Sequence, residues 1–315
     1  FVPTDATLRD CRGVRYRSRS TAPTAGQDLL VLFKTFDHLG TVAGKTVYWT
    51  TDLPEPGQAA AFLPPRVAGK LDAILCISEW QRTALLKGCP WLDPTKVVAH
   101  WLGIEKDEIA GAVAAHPKVP RRALYASSPD RGLRQLLEVW PKVKAAVPEA
   151  TLHVVYGFNF WKRSEAVLQE PLASQMREER KKLEAMLRSP GVFALGRVDR
   201  ATYLKELAEA EVWAYPCTGG ELCCKVALEA QAAGCRPVVV PTMALEETVT
   251  TGLKVSQTGF GDALMTALLT SDTTHSEKAP EVPSWDDLSR WAWTASGCEE
   301  ATALPVESPS PSAPP

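Results

Sequence analysis

The sequence predicts an α/β protein made of two Rossmann-like, doubly wound domains that face a cleft. Three observations carry this expectation. Short apolar runs alternate with helix-like stretches from about residue 28 to residue 241, as expected for parallel strands buried on both faces and joined by crossover helices. The alternation comes in two series, separated by the Pro-containing basic stretch "AAHPKVPRR" (114–122). The length of 315 residues suits two domains of ordinary size.

In the first series the strands are "DLLVLF" (28–33), "KTVYWT" (45–50), "LDAILCIS" (71–78) and "KVVAHW" (96–101), with a helix over "SEWQRTALLKG". The second series opens with the strand "RALYAS" (122–127), a helix from Arg131 to Val147 and the strand "TLHVVYG" (151–157). A long charged helix over about 163–188 follows, then "GVFALG", the helix "DRATYLKELAEA", the strand "EVWAYP", a further helix and "CRPVVVP". Domain limits are expected at 1–117 for an N-terminal, acceptor-side domain and at 118–284 for a C-terminal domain. "VPSWDDLSRWAWTAS" is amphipathic and predicts a packing helix over 285–297. The Pro/Ser-rich tail 298–315 is expected to be disordered.

Hydrophobic content of 45% against 23% charged marks a globular chain, and a net charge of −2 gives no global polyanion signal. Charge is nevertheless uneven: "LRDCRGVRYRSRS" holds five Arg against one Asp, and 118–190 holds fourteen Lys or Arg against eight acids. These surpluses read either as solvated surface or as a basic acceptor face. The eight Cys follow neither a CxxC nor a zinc-ligand spacing, the usage of reduced thiols. No apolar run approaches the roughly 18 residues of a membrane span, and the start has no signal-peptide pattern. A cytoplasmic location is therefore expected. The chain begins without Met, as a fragment or processed chain does.

The richest stretch is "CTGGELCCKVALEAQAAGCRPVVVP" (217–241). It places a Gly-rich loop beyond the carboxyl end of a strand and a helix starting near Cys224. Ligands of such sheets bind at that end. The unpaired N–H groups and positive dipole of a helix start suit a diphosphate. Glu221 and Glu229 are then acceptors on either side of the phosphate site, one for a sugar and one for a ribose. Gly219 and Gly220 permit close backbone approach.

Glu221-x7-Glu229 followed by "EAQAAGCRPVV" resembles the signature of GT-B glycosyltransferases of the retaining family-4 type. "YASSPDRGLRQLLEVWPKVKAAVPEATLHVVYG" (125–157) is similar to the family's first βαβ unit of the C-terminal domain. "ILCISEWQRTALLKG", "KVVAHWLGIE" and "VYWTTDLPEPG" resemble parts of its N-terminal domain. The likeness covers most of 45–295. It implies a GT-B fold and hexosyl transfer, without a metal, from a nucleotide-diphosphate sugar to an acceptor. The donor would be a UDP- or GDP-sugar, and no cofactor is expected. Glu221 would contact donor-sugar hydroxyls, Glu229 the ribose, and Arg131 the diphosphate. The backbone from Gly220 through Leu222, Cys223 and Cys224 to Lys225 would face sugar and phosphates, and Arg197 would lie near the base.

Three departures from the family pattern stand out. Tyr125 occupies the place of a second basic residue, for which Lys225 substitutes. Thr51 replaces the usual His before Asp52. The N-terminal domain is short, with no evident first strand and Gly-rich loop before Asp28. Departure of the diphosphate calls for cationic and N–H donors, expected from Arg131, Lys225 and the helix starting near Cys224. Asp52, directly after a strand, is the remaining catalytic candidate. No carboxylate is placed for a double displacement, so the resemblance implies a front-face reaction. The acceptor stays open among glycans, lipids, small molecules and modified DNA bases. A phage-type transferase acting on hydroxymethylated bases, or a binding module that has lost catalysis, are the alternatives.

Overall fold

The computed structural model describes residues 9–11, 14–16, 26, 28–36, 39, 44–270 and 281–297. The tail 298–315 lies outside them. The chain forms two compact units. One takes the described residues up to Cys76, Arg82–Ala99 and the residues from Ser289. The other takes Ile77–Gln81 and His100–Leu288.

In the first unit β1 (Arg9–Cys11) and β2 (Val14–Tyr16) pair antiparallel. A parallel sheet follows, made of β3 (Leu29–Phe33), β4 (Lys45–Trp49), β5 (Ala73–Cys76) and β6 (Val97–Ala99), in the spatial order β3-β4-β5-β6. The period of two divides its side chains between two cores. Tyr48, Ile74 and Cys76 pack with Leu32, Leu63 and Leu85 on one face. Val47, Ala73 and Leu75 meet Trp291, Ala292 and Ala295 of the late helix Trp285–Ala295 on the other. Because the order is sequential, the described strands of this sheet contain no point where the winding reverses.

The second unit carries six parallel strands: β7 (Val119–Ala126), β8 (Thr151–Val155), β9 (Val192–Gly196), β10 (Ala210–Tyr215), β11 (Arg236–Val239) and β12 (Leu253–Lys254). Their order is β12-β11-β10-β7-β8-β9. From β7 the chain winds outward through β8 and β9, then returns to start again at β10. That is the doubly wound Rossmann order, with the switch point between β7 and β10. Two groups of helices cover the sheet. One is α5 (Leu133–Ala146), α7 (Leu172–Met186) and α11 (Phe260–Leu269); the other is α4 (Lys106–Ala115), α8 (Arg200–Glu209) and α9 (Lys225–Ala232). Leu124, Leu152, Val212 and Val238, one from each of four adjacent strands, are fully buried.

Three elements differ from the sequence expectation. The charged helix over 163–188 is broken into α6 (Asn159–Glu165) and α7, with Pro171 at the N-cap of α7. Proline has no N–H and cannot continue the ladder. The helix expected from Arg131 starts at Leu133, because Gly132 is left-handed at φ +91°. β7 begins at Val119, inside the stretch read as a linker, since Val119 pairs with Ala210. The basic surplus of 118–190 is partly neutralised. Acids outside the stretch take up part of it: Arg122 pairs with Glu206 and Glu209, and Lys142 with Asp262.

Candidate functional site

Both loops that flank the switch point carry the residues singled out in the sequence. The loop after β7 holds Arg131 and the loop after β10 holds Gly219, Gly220 and Glu221. The Arg131 guanidinium crosses between them: Nη1 donates to the Gly219 carbonyl at 3.0 Å and stands 3.7 Å from Glu221 Oε1. The crossing is built into the backbone. Gly132 has its φ at +91°, and a Cβ there would lie 2.7 Å from the Pro216 carbonyl. Gly220 has φ at +79°, and a Cβ there would overlap the Arg131 guanidinium. Gly219 meets nothing at its Cβ position. Of the two glycines, Gly220 is therefore the one the geometry requires.

Two tyrosines support this arrangement from below. Tyr125, where the resemblance expects a basic residue, is fully buried and donates its hydroxyl to the Ser128 carbonyl at 2.7 Å. It shapes the Arg131 loop. Tyr215 at the end of β10 donates its hydroxyl to Glu221 Oε1. Burial raises the Glu221 carboxyl, and the Tyr215 hydrogen bond and the Arg131 charge only partly offset it. For Arg131, burial works against the charged form. The carboxylate of Glu221, then Tyr215 and Asp130, outweigh that effect and raise the guanidinium overall.

α9 opens at Lys225 with Cys224 as its N-cap and no side-chain cap. Its first N–H groups are thus left for a ligand or solvent. Leu222 is half-buried, while Cys223 and Cys224 are buried with thiols pushed up by burial, Cys223 to about 12. These thiols are packing groups.

Glu229 lies one turn further along α9, with its side chain 3% exposed. Arg200 Nη1 donates to its Oε1 at 2.9 Å, Tyr203 Oη to its Oε2 at 2.7 Å, and Lys225 Nζ stands 3.4 Å from Oε1. Lys225 also lies over the Trp285 ring, 5.7 Å from its centroid. Glu229 and Lys225 are therefore engaged with each other, and Arg131 and Glu221 form a separate group. The sequence reading did not single out Arg200, Tyr203 or Tyr215. Their signal was available only as polar residues at strand ends and in the first turn of α8.

Arg197 lines a cavity of about 370 Å³ at the carboxyl ends of β7, β8 and β9. Val226 from the first turn of α9 lines the same cavity, as do Tyr203 and the unforeseen Tyr156, Asn159 and Arg163. Asp52 belongs to the first unit. It pairs with Lys34 at 2.7 Å, both side chains about half exposed. Among the described residues no helix is long and apolar enough to cross a membrane.

Residues 121–270 match the family model described as "Glycosyl transferases group 1". Among solved structures the chain is similar to HepE of Anabaena in complex with UDP and glucose. The identity is 16%, covering 78% of this chain and 69% of that one, with a TM-score of 0.56. A trehalose-6-phosphate synthase, OtsA, matches at 14% identity over 79% of this chain and 65% of that one, with a TM-score of 0.55. A glycosyltransferase of Rickettsia africae matches at 12% identity, covering 80% and 70%, with a TM-score of 0.54. The chain thus spans about two thirds of the length of these relatives. At these identities the likeness carries the fold, which is that of the two-domain GT-B proteins. No curated protein matches.

Proposed function

From the match of residues 121–270 to the group 1 glycosyl transferases we propose that the protein is a retaining, metal-independent glycosyltransferase. It moves a sugar, a hexose in this reading, from a UDP- or GDP-sugar to an acceptor hydroxyl. The observation that carries the proposal is the Arg131 bridge to Gly219 and Glu221 across the switch point, where doubly wound sheets bind their ligands.

In this reading the donor diphosphate lies between Arg131 and the start of α9, with the backbone from Gly220 to Lys225 around sugar and phosphates. As the anomeric C–O bond breaks, charge builds on the leaving phosphate. Arg131 and the α9 N–H groups stabilise it in place, without solvent rearrangement. Lys225 joins them by leaving Glu229. Glu221 receives hydrogen bonds from the donor-sugar hydroxyls, and Glu229 reaches the ribose once Lys225 has moved. Arg197 lies beside the base. The acceptor oxygen forms the new bond on the face the diphosphate leaves, and its proton passes to the leaving phosphate oxygen. Asp52 is the acceptor-side carboxylate. The protein acts without a cofactor.

The test is release of nucleoside diphosphate by the purified protein from UDP- and GDP-sugars, with and without chelator. Slow release without acceptor supports transfer chemistry. Binding of nucleotide with no cleavage of any donor would turn the reading into that of a binding module. Loss of cleavage on chelation would overturn the metal-free mechanism.

A further inference from the structure

Unusual backbone borders the 370 Å³ cavity. Tyr156, the residue after β8, has φ at +124°, a region bulky residues avoid. Its N–H donates to the Gly196 carbonyl at 2.7 Å. Gly157 follows at φ +74°, where a Cβ would come within 3.1 Å of Gly196 Cα. The β8–β9 register shifts at the same place, between Val154 and Val155. Bulges and strained residues of this kind re-aim side chains beside functional sites. Here they set Tyr156, 45% exposed, at the same cavity as Arg197. α6 adds Phe160, 59% exposed, and one face bearing Asn159 and Arg163. Among the described residues Arg163 and Arg197 have no hydrogen-bond or ion-pair partner, and no carboxylate is among those that line the cavity.

Two aromatic faces, two unpaired guanidinium forks and no carboxylate describe a site for a flat group whose edge accepts hydrogen bonds. We infer that this cavity selects guanine, so that the donor is a GDP-sugar; the inference rests on the glycosyltransferase reading above. Guanine presents O6 and N7 as adjacent acceptors, the pair a guanidinium fork meets with two N–H donors. Adenine places an N–H₂ beside N7, which meets an arginine donor to donor. Uracil separates its two carbonyls by N3–H and gives the fork no adjacent pair of acceptors. A purine also offers Tyr156 and Phe160 the larger stacking face, while Asn159 supplies the one side-chain carbonyl for guanine's ring N–H.

The experiment is calorimetric titration of the full chain with GDP, UDP and ADP. It is repeated on Arg163→Lys and Arg197→Lys, which keep the charge and lose the fork. The expected result is GDP binding at least tenfold tighter than UDP and ADP, with the preference reduced threefold or more in each variant and UDP affinity little changed. UDP binding as tightly as GDP, or more tightly, overturns the guanine inference and leaves the nucleotide site intact. A GDP preference that survives both substitutions overturns the role of the two arginines. If no nucleoside diphosphate binds, the glycosyltransferase reading fails and the inference with it.

Discussion

Arg131 Nη1 lies 3.7 Å from Glu221 Oε1, joining a residue that precedes α5 to one that precedes α9 across ninety positions of chain. Each favours the charged form of the other. The Arg131 charge restrains the rise of the buried Glu221 carboxyl, and Glu221 helps overcome the cost of burying the guanidinium. On the proposed mechanism, Arg131→Ala is expected to slow donor cleavage by about 10²–10³-fold. Single-turnover cleavage with enzyme in excess measures it. A rate within threefold of the parent would remove Arg131 from the leaving-group site.

Gly220→Ala is expected to reproduce much of that loss without touching a charged group. Its φ of +79° costs an alanine about 1–2 kcal/mol, and the methyl overlaps the Arg131 guanidinium. Cleavage should fall at least tenfold, with a modest drop in the denaturant midpoint. Gly219→Ala, whose Cβ meets nothing within 4 Å, is the control and should keep most of its activity.

Glu229 is a structural carboxylate as well as a candidate ribose acceptor. Removing it leaves Arg200 and Tyr203 without the acceptor they share. Glu229→Ala should therefore destabilise the second unit by about 1–3 kcal/mol, the range for leaving a buried polar group without its partner, because Arg200 is 37% exposed and keeps Glu108. Urea denaturation without ligand reads this. If stability were unchanged while nucleotide binding was lost, Glu229 would serve the ligand alone.

His153 Nδ1 lies 2.6 Å from Glu206 Oε2, both side chains about nine-tenths buried. Burial alone would raise the Glu206 carboxyl. The hydrogen bond and charge of His153 and the nearby Arg122 win, leaving it below its ordinary 4.5. A depressed carboxyl contributes stability that is fully present above pH 4.5 and lost as pH falls through the folded value. The melting temperature should therefore drop on acidification below about pH 4.5. Glu206→Gln should flatten that limb. An unaltered acid limb in the variant would show that other groups set it.

The C-terminal domain was the most legible part of the sequence. Its strands are built around short apolar runs, and several of its glycines fall where the backbone turns left-handed, as Gly132 and Gly220 do. Glu221 and Arg131 could be placed because strand ends and helix starts are local features. The partners of Glu229 could not, since Arg200 and Tyr203 reach it from a helix about 26 to 29 residues earlier and only tertiary packing brings them together. The break at Pro171 was visible in the letters but was outweighed by the charge pattern on either side. Tyr156 was hidden for another reason. Nothing in "VVYGFNF" marks a tyrosine that must adopt positive φ, a requirement imposed by the shifted β8–β9 register.

The contact of Gly132 with the Pro216 carbonyl has a practical bearing on redesign. Surface loops usually accept insertions and transplants from relatives one at a time. Here the loop after β7 and the loop after β10 are pressed together at that point, so they behave as a single moulded part. A graft that replaces one of them alone inherits a partner cut for a different shape. Libraries aimed at new donors should exchange residues 127–132 and 216–224 as a matched set, and place their length variation elsewhere.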